Sequence, residues 1–169
     1  MEKSEVPTGA GVVGVDGSPA SDRAVVWAAR QDALEGRPVA LVHGASPTVA
    51  TTWMGAPAFN PATLLQALED SGRAQLEAAG AVVHEREPGV AVYRVFDHRD
   101  PRDALLAHAA SASMVVVGSR GRGPMASLIL GSVSLAVSQH APCPVVVVRP
   151  KGEEAHGGIV VGADGTVRS

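Results

Sequence analysis

VVVGSRGRGPMASLILGSVSLAVSQHAPCPVVVV (Val115–Val148) holds two apolar runs, split by a glycine-rich stretch and a helical pattern. Each run is continuous β-branched sequence with no polar alternation. Such a run is a strand covered on both faces, the habit of a parallel sheet. The pattern predicts strands at Met114–Gly118 and Pro144–Val148, with a helix from Ser132 to His140 between them.

The same grammar extends toward the N-terminus. GVVGVD (Gly11–Asp16) reads as a buried strand ending in turn chemistry. Ser18 is a good N-cap, Pro19 suits the first helical position, and Gly36 stops the helix. PVALVHG (Pro38–Gly44) is a second strand, and Asn60–Gly80 a helix with Leu65, Leu68, Gly72 and Leu76 on one face. VAVYRVFD (Val90–Asp97) is a third strand. Asp100 caps a short helix from Pro101, with Leu105, Leu106 and Ala109 facing inward. The order β-α-β-α-β-α-β-α-β predicts an α/β fold: a doubly wound, five-stranded parallel sheet, Rossmann-like, with helices on both faces and right-handed crossovers.

Bulk properties narrow the function. The chain has 169 residues, 46% of them apolar, enough for one domain with a sizeable core. Fourteen basic against 17 acidic residues, spread along the chain, supply no basic stripe for nucleic acid. The lone Cys143 excludes an internal disulfide. The polar, acidic start MEKSEVPTGA is no secretory leader, and no apolar run reaches the roughly 20 residues that span a bilayer. These features predict a cytoplasmic protein with no membrane partner.

Ligands of doubly wound sheets sit beyond the carboxyl ends of the strands, where strand order reverses. The loops after Asp16, Gly44, Asp97 and Gly118 are therefore the candidates. Gly118, Gly121 and Gly123 follow the fourth strand directly, and Gly131-Ser132-Val133-Ser134 opens the next helix. Glycines allow close approach to the main chain, and a helix start offers unpaired N–H groups and partial positive charge. Ser119, Arg120 and Arg122 add a hydroxyl and two charges. Together these make a phosphate cradle; the plainer reading is a turn followed by a helix cap. It is neither a Walker loop, which needs Gly-Lys-Ser/Thr, nor the dinucleotide fingerprint, which follows the first strand. The connection Ala45–Asn60, with Trp53 and Met54, exceeds the roughly 2–6 residues usual for such a loop. It reads either as a lid or partner surface or as a surface excursion.

The spacing Gly118-x2-Gly121-x9-Gly131-Ser132 resembles the nucleotide-binding motif of the universal stress protein family. GVDGSPASDRAVVWAA resembles that family's first strand and helix, LVHG its second strand, and HAPCPVVVVRP its closing segment. The resemblance covers Gly11 to Pro150. It implies an ATP-binding regulatory protein of the stress response, in which nucleotide occupancy alters conformation or partner affinity. Asp16 would meet the ribose or a phosphate-bound Mg²⁺, and Gly14 would pass close to the nucleotide. Val42 would lie beside the adenine. Val117, Gly118 and Gly121 would line the ribose and first phosphate, and Gly131, Ser132, Val133 and Ser134 would hold the outer phosphates. The family's Gly-x-Pro turn after the third strand is replaced here by DHRDP, where His98 and Arg99 leave the local geometry open.

Catalytic alternatives find less support. No two of the six histidines stand at HxxxH spacing, no G-x-S-x-G occurs, and no base is placed beside Ser132 or Ser134. His43 reads as structural, and His108 and His140 as boundary or surface groups. At most slow ATP hydrolysis is expected. A non-binding adaptor module on the same fold is the competing function, and a nucleotide-using enzyme a third.

The tail repeats the head. GGIVVGADGTVRS (Gly157–Ser169) resembles GAGVVGVDGSPAS (Gly9–Ser21), with Asp164 over Asp16. This divides the chain into a flexible start at 1–10, a domain at 11–150, a linker at 151–156 and the opening of a second repeat at 157–169, as in tandem members of the family. The fifth strand then appears as a bare apolar edge, which soluble proteins rarely leave exposed. It predicts a homodimer through Val145–Val148, with the tail adding a strand to its own or its partner's sheet.

Overall fold

A computed structural model describes residues 5–46, 60–120, 130–149, 159–161 and 167–168. Gly121, Arg122 and Gly123, the connection carrying Trp53 and Met54, the linker and Asp164 lie outside the described residues. The elements run β1 (Gly11–Gly14), α1 (Pro19–Glu35), β2 (Val39–Gly44), α2 (Pro61–Arg86), β3 (Val92–Asp97), α3 (Pro101–Ala109), β4 (Met114–Gly118), α4 (Ser132–His140), β5 (Val145–Val148), β6 (Ile159–Val161) and β7 (Val167–Arg168).

The strands form one sheet in the order β3-β2-β1-β4-β5-β6-β7. The first five are mutually parallel, with Val12 opposite both Ala40 and Val115. Alternate residues feed two cores. Val12, Val42, Val115, Val117 and Val147 pack with Leu105 and Ala109 of α3 and Val137 of α4. Val13, Leu41, Val116 and Val146 pack with Val25 and Ala28 of α1 and Leu76 and Val83 of α2. Helices thus cover both faces, which is why the strands carry no polar alternation.

Local signals set the helix ends. Ser18 Oγ accepts the N–H of Ser21 at 3.2 Å, Asn60 Oδ1 that of Ala62 at 3.0 Å, and Asp100 Oδ1 that of Arg102 at 3.0 Å. Each cap precedes a proline at the first helical position. Gly36 ends α1 in the left-handed region at φ 66°. Leu105 and Ala109 are buried as expected, whereas Leu106 is half-buried and Ala104 fills the inner position.

Four sequence expectations are corrected. α2 does not stop at Gly80 but runs to Arg86, because Val83 still reaches the core. Gly80 leaves room for Arg94, whose guanidinium would overlap a Cβ there. β1 ends at Gly14, two residues before Asp16, and β3 begins at Val92 rather than Val90. Lastly, β5 is not a bare edge. β6 pairs antiparallel with it, Val146 opposite Val160, and β7 pairs with β6. The tail adds its strands to its own sheet, so a dimer through Val145–Val148 would first need β6 to leave.

Gly72 of α2 tests the packing of the second face. A Cβ there would stand 2.5 Å from the Phe96 ring and 2.6 Å from that of His43. These two rings stack with centroids 5.7 Å apart. Overpacking costs about 1–3 kcal/mol, more than the gain of under about 1 kcal/mol from replacing a helical glycine. Gly72→Val is therefore expected to lower the melting temperature; an unchanged or raised melt would refute this account of the glycine.

Candidate functional site

β1 leads to β2 and β3 on one side of the sheet, and β4 leads to β5 on the other. The reversal lies between β1 and β4, so their carboxyl ends flank the crevice that such sheets use for ligands. Gly14-Val15-Asp16 leaves β1 there, and Gly118-Ser119-Arg120 leaves β4.

The β1 side is a tightly bonded turn. Asp16 Oδ1 accepts the Ser18 N–H at 2.9 Å, around Gly17 at φ 72°. Ser21 Oγ accepts the Asp16 N–H and donates to Gly14 O, each at 3.2 Å. Asp16 is half-buried, and Ser18 and Ser21 are buried. From the next strand, His43 Nδ1 lies 2.7 Å from Val15 O, and Val15 N–H donates to Val42 O at 2.9 Å. His43 has the structural place expected of it. Val42 has its side chain in the core, leaving its carbonyl as the group nearest the turn.

On the β4 side, Ser119 N–H donates to Val148 O at 2.9 Å. Ser119 O accepts the Gly131 N–H at 2.8 Å and faces Ser134 Oγ at 3.3 Å. Ser134 Oγ also lies 2.9 Å from Gly131 O. One carbonyl therefore joins the end of β4 to the start of α4, although eleven residues lie between Ser119 and Gly131 along the chain.

α4 differs from the other helices at its start. Gly131 is its N-cap, at φ −72° and ψ 165°, and no side chain caps it. The first-turn N–H groups lack an intrahelical acceptor, as in any helix. Ser132 is exposed at the first turn, whereas Ser134 is buried and its hydroxyl is turned to the two carbonyls. The Ser132 hydroxyl is thus at the surface of the first turn, and the Ser134 hydroxyl is not.

Two glycines have packing reasons. A Cβ on Gly118 would stand 2.7 Å from the carbonyl carbon of Ala20 in α1. A Cβ on Gly14 would stand 3.1 Å from Leu105 Cδ1. Val117 is buried core, and Arg120 is half-buried beside Ser119.

Sequence reading left DHRDP open, and here it forms an ion-paired turn. Asp97 Oδ1 accepts the backbone N–H and Nε–H of Arg99 at 3.0 and 2.9 Å. Its Oδ2 lies 3.3 Å from His108 Nε2. Burial pushes the Asp97 carboxyl up, but the Arg99 hydrogen bonds and the charges of Arg99 and His108 outweigh it and hold it below the usual carboxylate range. The Asp-x-Arg spacing, repeated at Asp100 and Arg102, was the available signal.

The universal stress protein family model matches residues 12–149. A universal stress protein of Mycolicibacterium smegmatis is 36% identical over 164 residues, covering 94% of this chain and 55% of its own length. One of Mycobacterium tuberculosis is 36% identical over 167 residues, covering 94% of this chain and 54% of its own. The chain thus spans about half the length of these curated relatives. Among solved structures, a universal stress protein from Archaeoglobus fulgidus superposes with TM-score 0.65 at 23% identity, over 84% of this chain and 99% of that one. A universal stress protein in complex with cAMP does so with TM-score 0.62 at 25% identity, over 85% and 98%. No described helix is long and apolar enough to cross a membrane. On the family match and on these relatives, the chain belongs to the universal stress protein family.

Proposed function

We propose that this domain binds an adenine nucleotide, ATP in particular, at the crevice between β1 and β4, and that occupancy regulates a stress-response protein. The observation that carries the reading is the Ser119 carbonyl junction, which brings the end of β4 to the uncapped start of α4. Phosphates would take the amides of Ser132 and Val133 and the Ser132 hydroxyl, beside Gly131, whose own N–H is held by the Ser119 carbonyl, with Gly118, Gly121, Gly123, Arg120 and Arg122 on the other side. Gly14, Val42 and Val117 would border the ribose and base. The cAMP complex of a 25%-identical relative supports an adenine nucleotide as the ligand class.

Mg²⁺ would fit this site as a phosphate-bound ion. Asp16 gives one carboxylate there, and Mg²⁺ is commonly held by one or two carboxylates, phosphates and water. Its role would be to neutralise phosphate charge. Because phosphates would bind α4 and the β4 end at once, occupancy would bias how these two elements sit, which is the physical basis for regulation. Residues 157–169 would begin a second copy of the domain, consistent with relatives of about twice the length.

Gly131→Glu places bulk and negative charge at the α4 start. Calorimetry is expected to show at least a roughly tenfold loss of ATP affinity, the scale of a lost charge-assisted contact. The apo melt should change little, since Gly131 lies at φ −72°. Undiminished affinity would refute the site.

A further inference from the structure

At the opposite pole of the sheet, where the strands begin, lies a cavity of about 400 Å³. Asp32, Arg37, Glu87 and Tyr93 line it with the aliphatic Val90 and Ala91. Its volume is that of a small-molecule pocket.

Asp32 is the unusual group. It belongs to the last turns of α1 and is wholly buried. Among the described residues, its Oδ2 has no hydrogen-bond donor, and its Oδ1 faces Arg37 Nε at 3.4 Å. That distance is long for a charge-assisted bond, which is normally about 2.7–2.9 Å. Arg37 is drawn the other way, because its Nη2 sits 2.8 Å from Glu35. The carboxylate fits only because residue 11 is glycine: a Cβ on Gly11 would overlap it. Burying a carboxylate so incompletely paired costs several kcal/mol, a penalty that an apolar side chain there would not carry.

We propose that Asp32 and this cavity form a second binding site, for a small aliphatic amine in its ammonium form, and best for a diamine. An ammonium is a compact charge with three donors, which suits an oxygen pair that lacks donors. The aliphatic body would lie along Val90 and Ala91, and Glu87 would receive the second ammonium. Arg37, one-quarter exposed, is the resident stand-in. On binding it would move fully onto Glu35, so one cation replaces another and the buried charge stays balanced. Anionic ligands are disfavoured, since Asp32 and Glu87 outnumber an Arg37 already shared with Glu35.

The groups that act on the charge of Asp32 are Arg37 and Glu35 near the end of α1; Glu87 and Tyr93 line the cavity with it, and β1 sets Gly11 against it. Burial pushes the Asp32 carboxyl up to about 6, the pull of Arg37 notwithstanding. Amine binding should therefore weaken as pH falls below that value and Asp32 becomes neutral.

The test is calorimetric titration of 1,4-diaminobutane, butylamine and butyrate into the whole chain at pH 7.5 and at pH 5, with melts recorded alongside. Saturable binding of the diamine, weaker binding of butylamine, none of butyrate and weakening at pH 5 are expected. Asp32→Asn should bind both amines at least about tenfold less while still melting cooperatively, one ionic contact having been lost. Glu87→Gln should bring the diamine down to the butylamine level. Arg37→Gln removes the competing cation and should tighten binding. Absence of saturable binding by the folded wild type, undiminished binding by Asp32→Asn, or weaker binding by Arg37→Gln would each overturn the proposal.

Discussion

Gly118→Ala should cost this domain about 1–3 kcal/mol, the range for overpacking a tight contact. For a chain of this size each kcal/mol moves the melting temperature by roughly 2–4 °C. The single added carbon would stand 2.7 Å from the Ala20 carbonyl carbon and 2.9 Å from its oxygen. These are backbone atoms, so no rotamer change can yield space. The first turn of α1 would have to move, yet the Ser18 cap and the bonds of Ser21 to Gly14 O and Asp16 N–H fasten it to the β1 turn. The strain is thus delivered to Asp16, and under the proposed function ATP affinity should fall with stability. Gly14→Ala is the internal comparison. Its Cβ would meet a flexible leucine methyl at 3.1 Å, which can give way by a few tenths of an ångström. Thermal melts of the two variants should differ clearly, with Gly118→Ala the lower. Equal melts would mean that α1 yields as easily as the Leu105 side chain.

The same pair of glycines shows where sequence reading succeeded and where it stopped. Continuous valine runs made the parallel core of five strands legible, because a strand covered on both faces has no reason to alternate. Ser18-Pro19, Asn60-Pro61 and Asp100-Pro101 marked three helix starts, because capping is a local interaction. The reason for Gly118 was not legible, since its neighbour Ala20 lies almost a hundred positions away and no local pattern encodes that approach. Gly80 misled for a related cause. It resembles a helix stop, but its lack of a side chain serves Arg94 on β3. The β5 edge looked bare because strand pairing across a linker leaves no periodic trace. At the candidate site, the glycine and serine spacing pointed to the end of β4 and the start of α4, but could not show that the Ser119 carbonyl joins them or that the Ser134 hydroxyl is spent on the Ser119 and Gly131 carbonyls. Asp32 drew no notice in sequence, for a polar residue in a helix normally faces water.

Between pH 7.5 and pH 5 the wild-type chain should gain stability, and Asp32→Asn should not. The folded Asp32 carboxyl takes up its proton near pH 6, above the ordinary value of 3.8 that holds when the chain is unfolded. Between these two values the folded state binds more protons than the unfolded, so stability rises as pH falls through about 6 and levels off near 3.8. Over the whole range the effect is on the order of 3 kcal/mol, at 1.36 kcal/mol per pKa unit, and about half of it falls between pH 7.5 and pH 5. In that window the expected rise is roughly 3–6 °C in melting temperature. The opposite trend belongs to Asp97 and Asp100, whose carboxyls arginine partners hold below the usual range. Their contribution is lost only as pH falls below the ordinary carboxylate value, outside the window measured. Absolute stability at pH 7.5 is a poorer readout, because a buried asparagine amide without an acceptor costs about 1–3 kcal/mol and offsets the charge removed. Arg37 would not be orphaned in the variant, since Glu35 holds its Nη2 at 2.8 Å. The slope with pH isolates the carboxylate. A wild-type melt that is flat or falls from pH 7.5 to pH 5, or an Asp32→Asn variant that rises in parallel with it, would show that Asp32 is not the buried, poorly paired acid described above.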